Sequence, residues 1–143
     1  MISRGRVLAA VGVILGFGVA SLLFAGSASL PMRDGFLKLP GLQAPVAVAF
    51  DAYGIPVVAA GDRLDAMRAL GYVTAQDRLF QMDLLRRNSA GRLAEVLGES
   101  GLQVDLRQRN LGLSSVAEAV LRRLPEEQRA VLEAYAEGVN AFL

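Results

Sequence analysis

The sequence predicts an α+β chain, mostly helical with a short β-hairpin, behind an apolar N-terminal helix. Three observations carry this. Apolar residues recur at helical spacing through residues 63–87 and again after Pro125. Two short apolar runs, 46–50 and 55–60, flank the turn-forming Asp51-Ala52-Tyr53-Gly54. Residues 7–25 carry no charge.

The N-terminal run follows Arg4 and Arg6. As a helix it would span about 28 Å, close to the roughly 30 Å hydrocarbon core of a bilayer. Two readings stay open. The run is a secretory signal, with small residues at Ala25-Gly26-Ser27 or Ser27-Ala28-Ser29 for cleavage, or it is an uncleaved transmembrane anchor. Both keep the basic end inside and place the rest of the chain outside the cytoplasm. The expected localisation is therefore exported, periplasmic or extracytoplasmic, with membrane contact through residues 7–25. The expected organisation is a signal or anchor over 1–29, a Pro/Gly-rich linker over 30–45 and a folded unit over 46–143.

The unit begins with the hairpin. Pro56 lies near the start of its second strand, where a missing N–H is tolerated. Asp62 is placed to cap a helix over 63–87, with Asp65 in its first turn. Taking Leu70 as zero, Ala66, Met67, Val73, Phe80, Leu84 and Leu85 fall within about 80° of it, a stripe expected to face the core. Thr74, Asp77 and Gln81 project into the middle of that stripe. Asp65, Arg68, Tyr72, Gln76, Asp83 and Arg86 occupy the other face. A buried carboxylate without a partner is costly. Asp77 is therefore expected to be buried, with an arginine or a backbone N–H as partner and Thr74 and Gln81 in the same network. Arg78, Arg87, Arg92, Arg107 and Arg109 are the cations within reach in sequence.

Further on, Gly91 and Gly98 bracket a short helix over 92–97, and 102–110 reads as another helical segment. After Gly112, Ser114 or Ser115 is expected to cap a helix to residue 124. Pro125 opens a last helix with Glu126 and Glu127 in its first turn. Val131, Tyr135, Gly138 and Phe142 share one face of it. That pattern still runs at Leu143, which predicts a helix interrupted by the end of the chain. Arg86-Arg87 reads as a pair at a helix C-terminus rather than a basic patch. Tyr53, Tyr72 and Tyr135 read as packing residues, and Ser114 and Ser115 as caps rather than nucleophiles.

Composition removes whole classes of chemistry. With 143 residues the chain holds one domain at most. A net charge of +1 gives no electrostatic case for nucleic acid. The absence of cysteine and histidine rules out disulfides, thiolate or imidazole metal sites, the Ser-His-Asp triad and a Cys nucleophile. Carboxylates, Lys38, tyrosines and hydroxyls remain.

From Pro45 onward the sequence resembles the N-terminal part of the penicillin acylase family, which are exported N-terminal nucleophile (Ntn) amidohydrolases. The landmarks are Val46 to Asp51 with Ala52-Tyr53-Gly54-Ile55-Pro56; Asp65-Ala66; Ala69-Leu70-Gly71-Tyr72-Val73; Ala75-Gln76-Asp77-Arg78-Leu79-Phe80-Gln81-Met82; Leu85-Arg86-Arg87; Gly91-Arg92-Leu93-Ala94-Glu95-Val96-Leu97-Gly98; and Ala134-Tyr135-Ala136-Glu137-Gly138-Val139-Asn140-Ala141. One departure is Val57, where the family often has His. The resemblance implies a four-layer αββα fold and a precursor cut autocatalytically. The new N-terminal Ser of the β chain is then the nucleophile and its α-amino group the base. The implied substrates are penicillin-like or other small-molecule N-acyl amides, and the implied partner is the remainder of the precursor.

The Ser, the oxyanion hole and the main acyl pocket of the family lie downstream of the matched region. No catalytic, cofactor-binding or metal residue is therefore assigned within 1–143, and the fragment alone is expected to be inactive. Several members bind calcium, but the ligand their α chain supplies is also downstream. The acidic residues here lack EF-hand-like spacing. An acyl-homoserine lactone acylase of the same family is the alternative enzyme. A non-catalytic, membrane-anchored helical module with a structural or binding role is the alternative class.

Overall fold

The computed structural model describes residues 16–22, 24 and 32–143. It divides into two units, Met1–Gly35 and Phe36–Leu143. In the first, residues 16–22 and 24 are helical. Most of the apolar run 7–25, and with it the signal or anchor over 1–29, lies outside the described residues. Among the described residues no helix is long and apolar enough to cross a membrane.

The second unit opens with β1 (Ala47–Phe50) and β2 (Pro56–Ala59), an antiparallel pair with Val48 opposite Val58 and Phe50 opposite Pro56. Alternate residues are half-buried, so one face of the ribbon is covered. The turn is set by Asp51, whose Oδ1 accepts the N–H groups of Tyr53 and Ile55, each at 2.8 Å. Gly54 follows at φ 77°, a conformation that glycine adopts without steric cost. Tyr53 stands 90% exposed on this turn, so it is not the packing residue expected.

α1 (Arg63–Ala90) starts as expected, with the Asp62 carboxylate accepting from Leu64 N at 2.8 Å and Asp65 N at 3.3 Å. It runs past residue 87 to Gly91, which takes the left-handed conformation and donates its N–H to the carbonyls of Arg87 and Asn88. Arg78 interrupts it with φ −136° and ψ 20°. One turn earlier the Thr74 hydroxyl donates to the Leu70 carbonyl at 2.7 Å, a back-bond of the kind that bends helices.

The remaining helices are α2 (Ala94–Leu97), α3 (Glu99–Leu111), α4 (Leu113–Arg123) and α5 (Glu126–Asn140). α3 begins earlier than the expected segment 102–110. α4 is entered through Gly112 with no side-chain cap, and Ser114 and Ser115 are exposed within it. The predicted serine cap is thus wrong: Gly112 already carries the turn and the helix starts before either hydroxyl. Pro125 and the two glutamates open α5 as expected, and α5 ends at Asn140.

α1 packs mainly on α5. The crossing is a close approach of two backbones through reciprocal glycines. A Cβ on Gly71 would stand 2.1 Å from the Tyr135 carbonyl oxygen, and one on Gly138 would stand 1.9 Å from that of Arg68. Ala69, Val73, Ala75, Val131 and Ala134 fill the core around it. The expected face of α5 is confirmed: Val131 and Gly138 are buried, and Phe142 meets Tyr72 edge-on at 5.7 Å.

The side of α1 that makes this crossing is not the stripe singled out by pattern. Ala69, Gly71 and Ala75, with Asp65, lie away from Leu70 on the helical wheel and are four of its five buried residues; Val73, in the stripe, is the fifth. Leu70, Met67 and Thr74 are half-buried. The physical reason is that small side chains let helix axes approach, whereas a bulky stripe cannot enter a glycine-to-glycine crossing.

Candidate functional site

Three sets of charged groups join separate segments of the chain. The first centres on Asp65, 1% exposed on α1. Both its oxygens accept from Gln43 N at 3.1 Å, and Oδ2 also accepts from Ala44 N at 3.0 Å. The Arg68 guanidinium lies 3.5 Å away and also pairs with Glu137 of α5, its Nε donating to Oε2 at 3.0 Å. Gly41 closes against the same guanidinium: a Cβ there would sit 2.9 Å from Arg68 Nε. One Asp–Arg pair thereby fixes the segment 41–44 to both α1 and α5. Asp65 does this while buried because the desolvated carboxylate receives backbone donors and a cation together.

The second set centres on Asp105 of α3, 4% exposed. Its oxygens accept from Leu93 N at 2.7 Å and Ala94 N at 2.8 Å. These are orphan donors at the start of α2, so Asp105 acts as an N-cap supplied from another helix. Arg109 completes the clamp, donating from Nε to the Gly91 carbonyl at 2.8 Å. Sequence reasoning missed Asp105, because its partners lie eleven and twelve residues away. The available signal was the uncapped start of α2, where Leu93 offers no acceptor side chain.

The third set is a partly exposed ladder. Asp83 accepts from Arg86 Nη2 at 2.6 Å and from Arg87 Nε at 2.7 Å. Arg87 also pairs with Glu95, which accepts from Arg92 Nε at 2.6 Å. The hydrogen bond from Arg87, then that from Arg86, holds the Asp83 carboxyl below its ordinary value. The hydrogen bond from Arg92, followed by the nearby guanidinium charges, does the same for Glu95. The ladder ties the end of α1 to α2. Arg86 and Arg87 are therefore paired with carboxylates rather than spent on the helix dipole alone.

Asp77, the expected buried acid, is in none of these sets. Its side chain is 52% exposed, and its partner is the adjacent Arg78 at 3.2 Å, itself 63% exposed. The expected arginine partner is present; the expected burial is not. Gln81 is exposed, and Thr74 is satisfied by its own helix. The structure therefore does not bring these three together as an internal network. All three lie on the stripe of α1, which is not the side that makes the α1–α5 crossing.

The chemistry available in these sets is anchoring. The oxygens of both buried carboxylates are taken by backbone N–H groups. Among the described residues no group of three or more acidic side chains could hold a metal ion.

A family model described as penicillin amidase matches residues 45–143. The chain is 49% identical over 116 residues to the penicillin acylase 2 proenzyme of Pseudomonas sp. (strain SE83), across 81% of this chain and 15% of that protein. It is 41% identical over 137 residues to the acyl-homoserine lactone acylase QuiP of Pseudomonas aeruginosa, across 94% of this chain and 16% of that protein. Among solved structures, a thermostable penicillin G acylase from Alcaligenes faecalis superposes with a TM-score of 0.62 at 34% identity, covering 68% of this chain and 52% of that chain. The chain spans about a sixth of the length of these curated relatives.

Proposed function

The chain belongs to the penicillin amidase family, and from that premise we propose that it is the N-terminal portion of an exported amidohydrolase precursor that removes the acyl group from penicillin-like or other N-acyl amides. The observation that carries this reading is the family match over 45–143, which takes in the hairpin and helices α1 to α5. The proenzyme relative supports a precursor. So does the difference in coverage: the match fills half of a chain in the solved acylase but about a sixth of the curated proteins.

In this reading the nucleophile is a Ser beyond Leu143 that self-cleavage turns into the first residue of a second chain. Its hydroxyl oxygen attacks the amide carbonyl, and its α-amino group takes the proton and passes it to the leaving amine. Oxyanion-hole donors hold the tetrahedral intermediate, and water then releases the acyl group. Such a centre needs neither histidine nor cysteine, which accords with the composition. Residues 46–143 supply helices and a hairpin to the outer part of a four-layer αββα fold. Calcium, where it is bound, is held by residues of the downstream portion. Residues 1–29 direct export as signal or anchor, and 30–45 connect them to the folded unit.

A second reading, an acyl-homoserine lactone acylase, is favoured by the relative that matches 94% of the chain. Expression of the full reading frame containing this chain, assayed on a phenylacetyl amide such as penicillin G and on an N-acyl homoserine lactone, separates the two. Release of a free amine from either supports the family chemistry, and the preferred acceptor decides the reading. Turnover by the 143-residue chain alone would overturn the placement of the nucleophile beyond Leu143.

A further inference from the structure

The boundary between the two units falls between Gly35 and Phe36. Every residue from 32 to 38 is exposed, and none is in a helix or strand. Among the described residues, none from 34 to 38 joins a hydrogen bond between backbones. Phe36 is fully exposed in this stretch, with Leu37 open beside it. The hold on the chain begins directly afterwards. Leu39 and Leu42 are half-buried, and Gly41 closes on the Arg68 guanidinium. The N–H groups of Gln43 and Ala44 are taken by Asp65.

Endoproteases cut where exposed backbone can leave its place without undoing a ladder or a helix. Other exposed aromatic residues fail this condition. Tyr53 lies in the turn fixed by Asp51 between two paired strands, and Phe80 lies within α1. The basic residues of the stretch are also less open. Arg33 already makes an interaction, and Lys38 is followed by the half-buried Leu39.

We propose that the Phe36–Leu37 peptide bond is a processing site, cut by an endoprotease with an apolar pocket for an aromatic side chain. Water adds across the bond: Phe36 keeps the new carboxylate and Leu37 becomes a new N-terminal amine. The cut separates residues 1–36 from 37–143. The folded unit stays intact because Asp65 and Arg68 grip the segment 41–44 beyond the cut. This site is distinct from the small-residue stretches 25–27 and 27–29 that a signal peptidase would use. Phe36 is retained in either reading of the N-terminus. That the cut frees the folded unit from a membrane rests on the anchor reading of residues 1–29.

The test treats the product of the full reading frame with low-dose chymotrypsin, in wild-type and Phe36→Asp/Leu37→Asp forms. Within residues 32–143, the first wild-type cut is expected to create a chain beginning at Leu37. It should run about tenfold or more ahead of any cut after Tyr53 or Phe80. The cut protein is expected to keep the unfolding midpoint of the uncut one. The double substitution puts carboxylates where the protease needs an apolar side chain. It is expected to slow this cut about tenfold or more without moving the midpoint. A first cut at another bond of residues 32–143, or none, would overturn the proposal. So would loss of the midpoint on cutting, or an unchanged rate in the double variant. Failure of the acylase reading looks different: the uncut product would hydrolyse no amide, yet the cut after Phe36 would proceed. Failure of the anchor reading differs too: the product would be free of membrane before the cut.

Discussion

Before Arg78, α1 is enclosed on all sides, and no residue from 64 to 76 is exposed. After it, the same helix covers one side only: Phe80, Gln81, Leu85 and Arg86 face water. Composition explains the contrast. The first half is rich in small residues, Ala66, Ala69, Gly71 and Ala75, and backbone meets backbone at the Gly71–Gly138 crossing. The second half carries the bulky residues Leu79, Phe80, Met82, Leu84 and Leu85, and is tethered by partly exposed ion pairs of Asp83, Arg87 and Glu95. A 98–108-residue unit has too little surface to cover every apolar stripe it carries, and here the tight crossing takes precedence. Hydrophobicity alone therefore does not say which face of a helix its own chain will bury; side-chain size decides it.

The contrast predicts a graded series of effects. The largest belongs to Asp65→Ala, which leaves Gln43 N and Ala44 N without their acceptor and strips Arg68 of a partner. It is expected to cost about 3 kcal/mol or more in thermal unfolding. A wild-type midpoint would show that segment 41–44 is not held by this carboxylate. Next comes Gly71→Ala at the crossing, expected to lose about 1–3 kcal/mol, or several degrees of unfolding midpoint, because the added methyl meets a backbone carbonyl. Tolerance there would mean that the helices stand further apart than described.

The ladder in the second half comes third, and its effect depends on pH. Asp83 and Glu95 have depressed pKa values, so their contribution is present above the ordinary carboxylate range near pH ~4 and fades as pH falls below it. Arg87→Ala is expected to lower the midpoint slightly at neutral pH and to flatten its decline in acid. Equal slopes for both proteins would remove the ladder from the stability of the chain. The smallest effect is assigned to Phe80→Ser in this chain by itself, within about 0.5 kcal/mol of wild type. A larger loss would break the contrast between the two halves.

Local chemistry was legible wherever it involved near neighbours. The Asp62 cap, the Asp51–Gly54 turn, the hairpin and the Pro125–Glu126–Glu127 opening of α5 all follow from residues within a few positions of one another. The face of α5 bearing Val131 and Gly138 was equally readable. The misreadings came at long range. Asp65 looked like a first-turn surface acid and is among the most buried side chains, because its partners lie 21 and 22 residues away. Asp77 looked buried because the bulky stripe around it was expected to face the core, whereas mainly small residues on another side of α1 are buried. Asp105 carried no local signal at all.

By itself, then, the sequence determined the element types, the turn chemistry and the family, since these rest on short-range periodicity and on a specific order of motifs. It also excluded histidine- and cysteine-based catalysis by composition alone. Tertiary structure decided which carboxylates are buried, which side of α1 meets α5, and which apolar side chains are left uncovered. These depend on how closely two backbones can approach and on which distant N–H groups need an acceptor, quantities that exist only once the chain has folded.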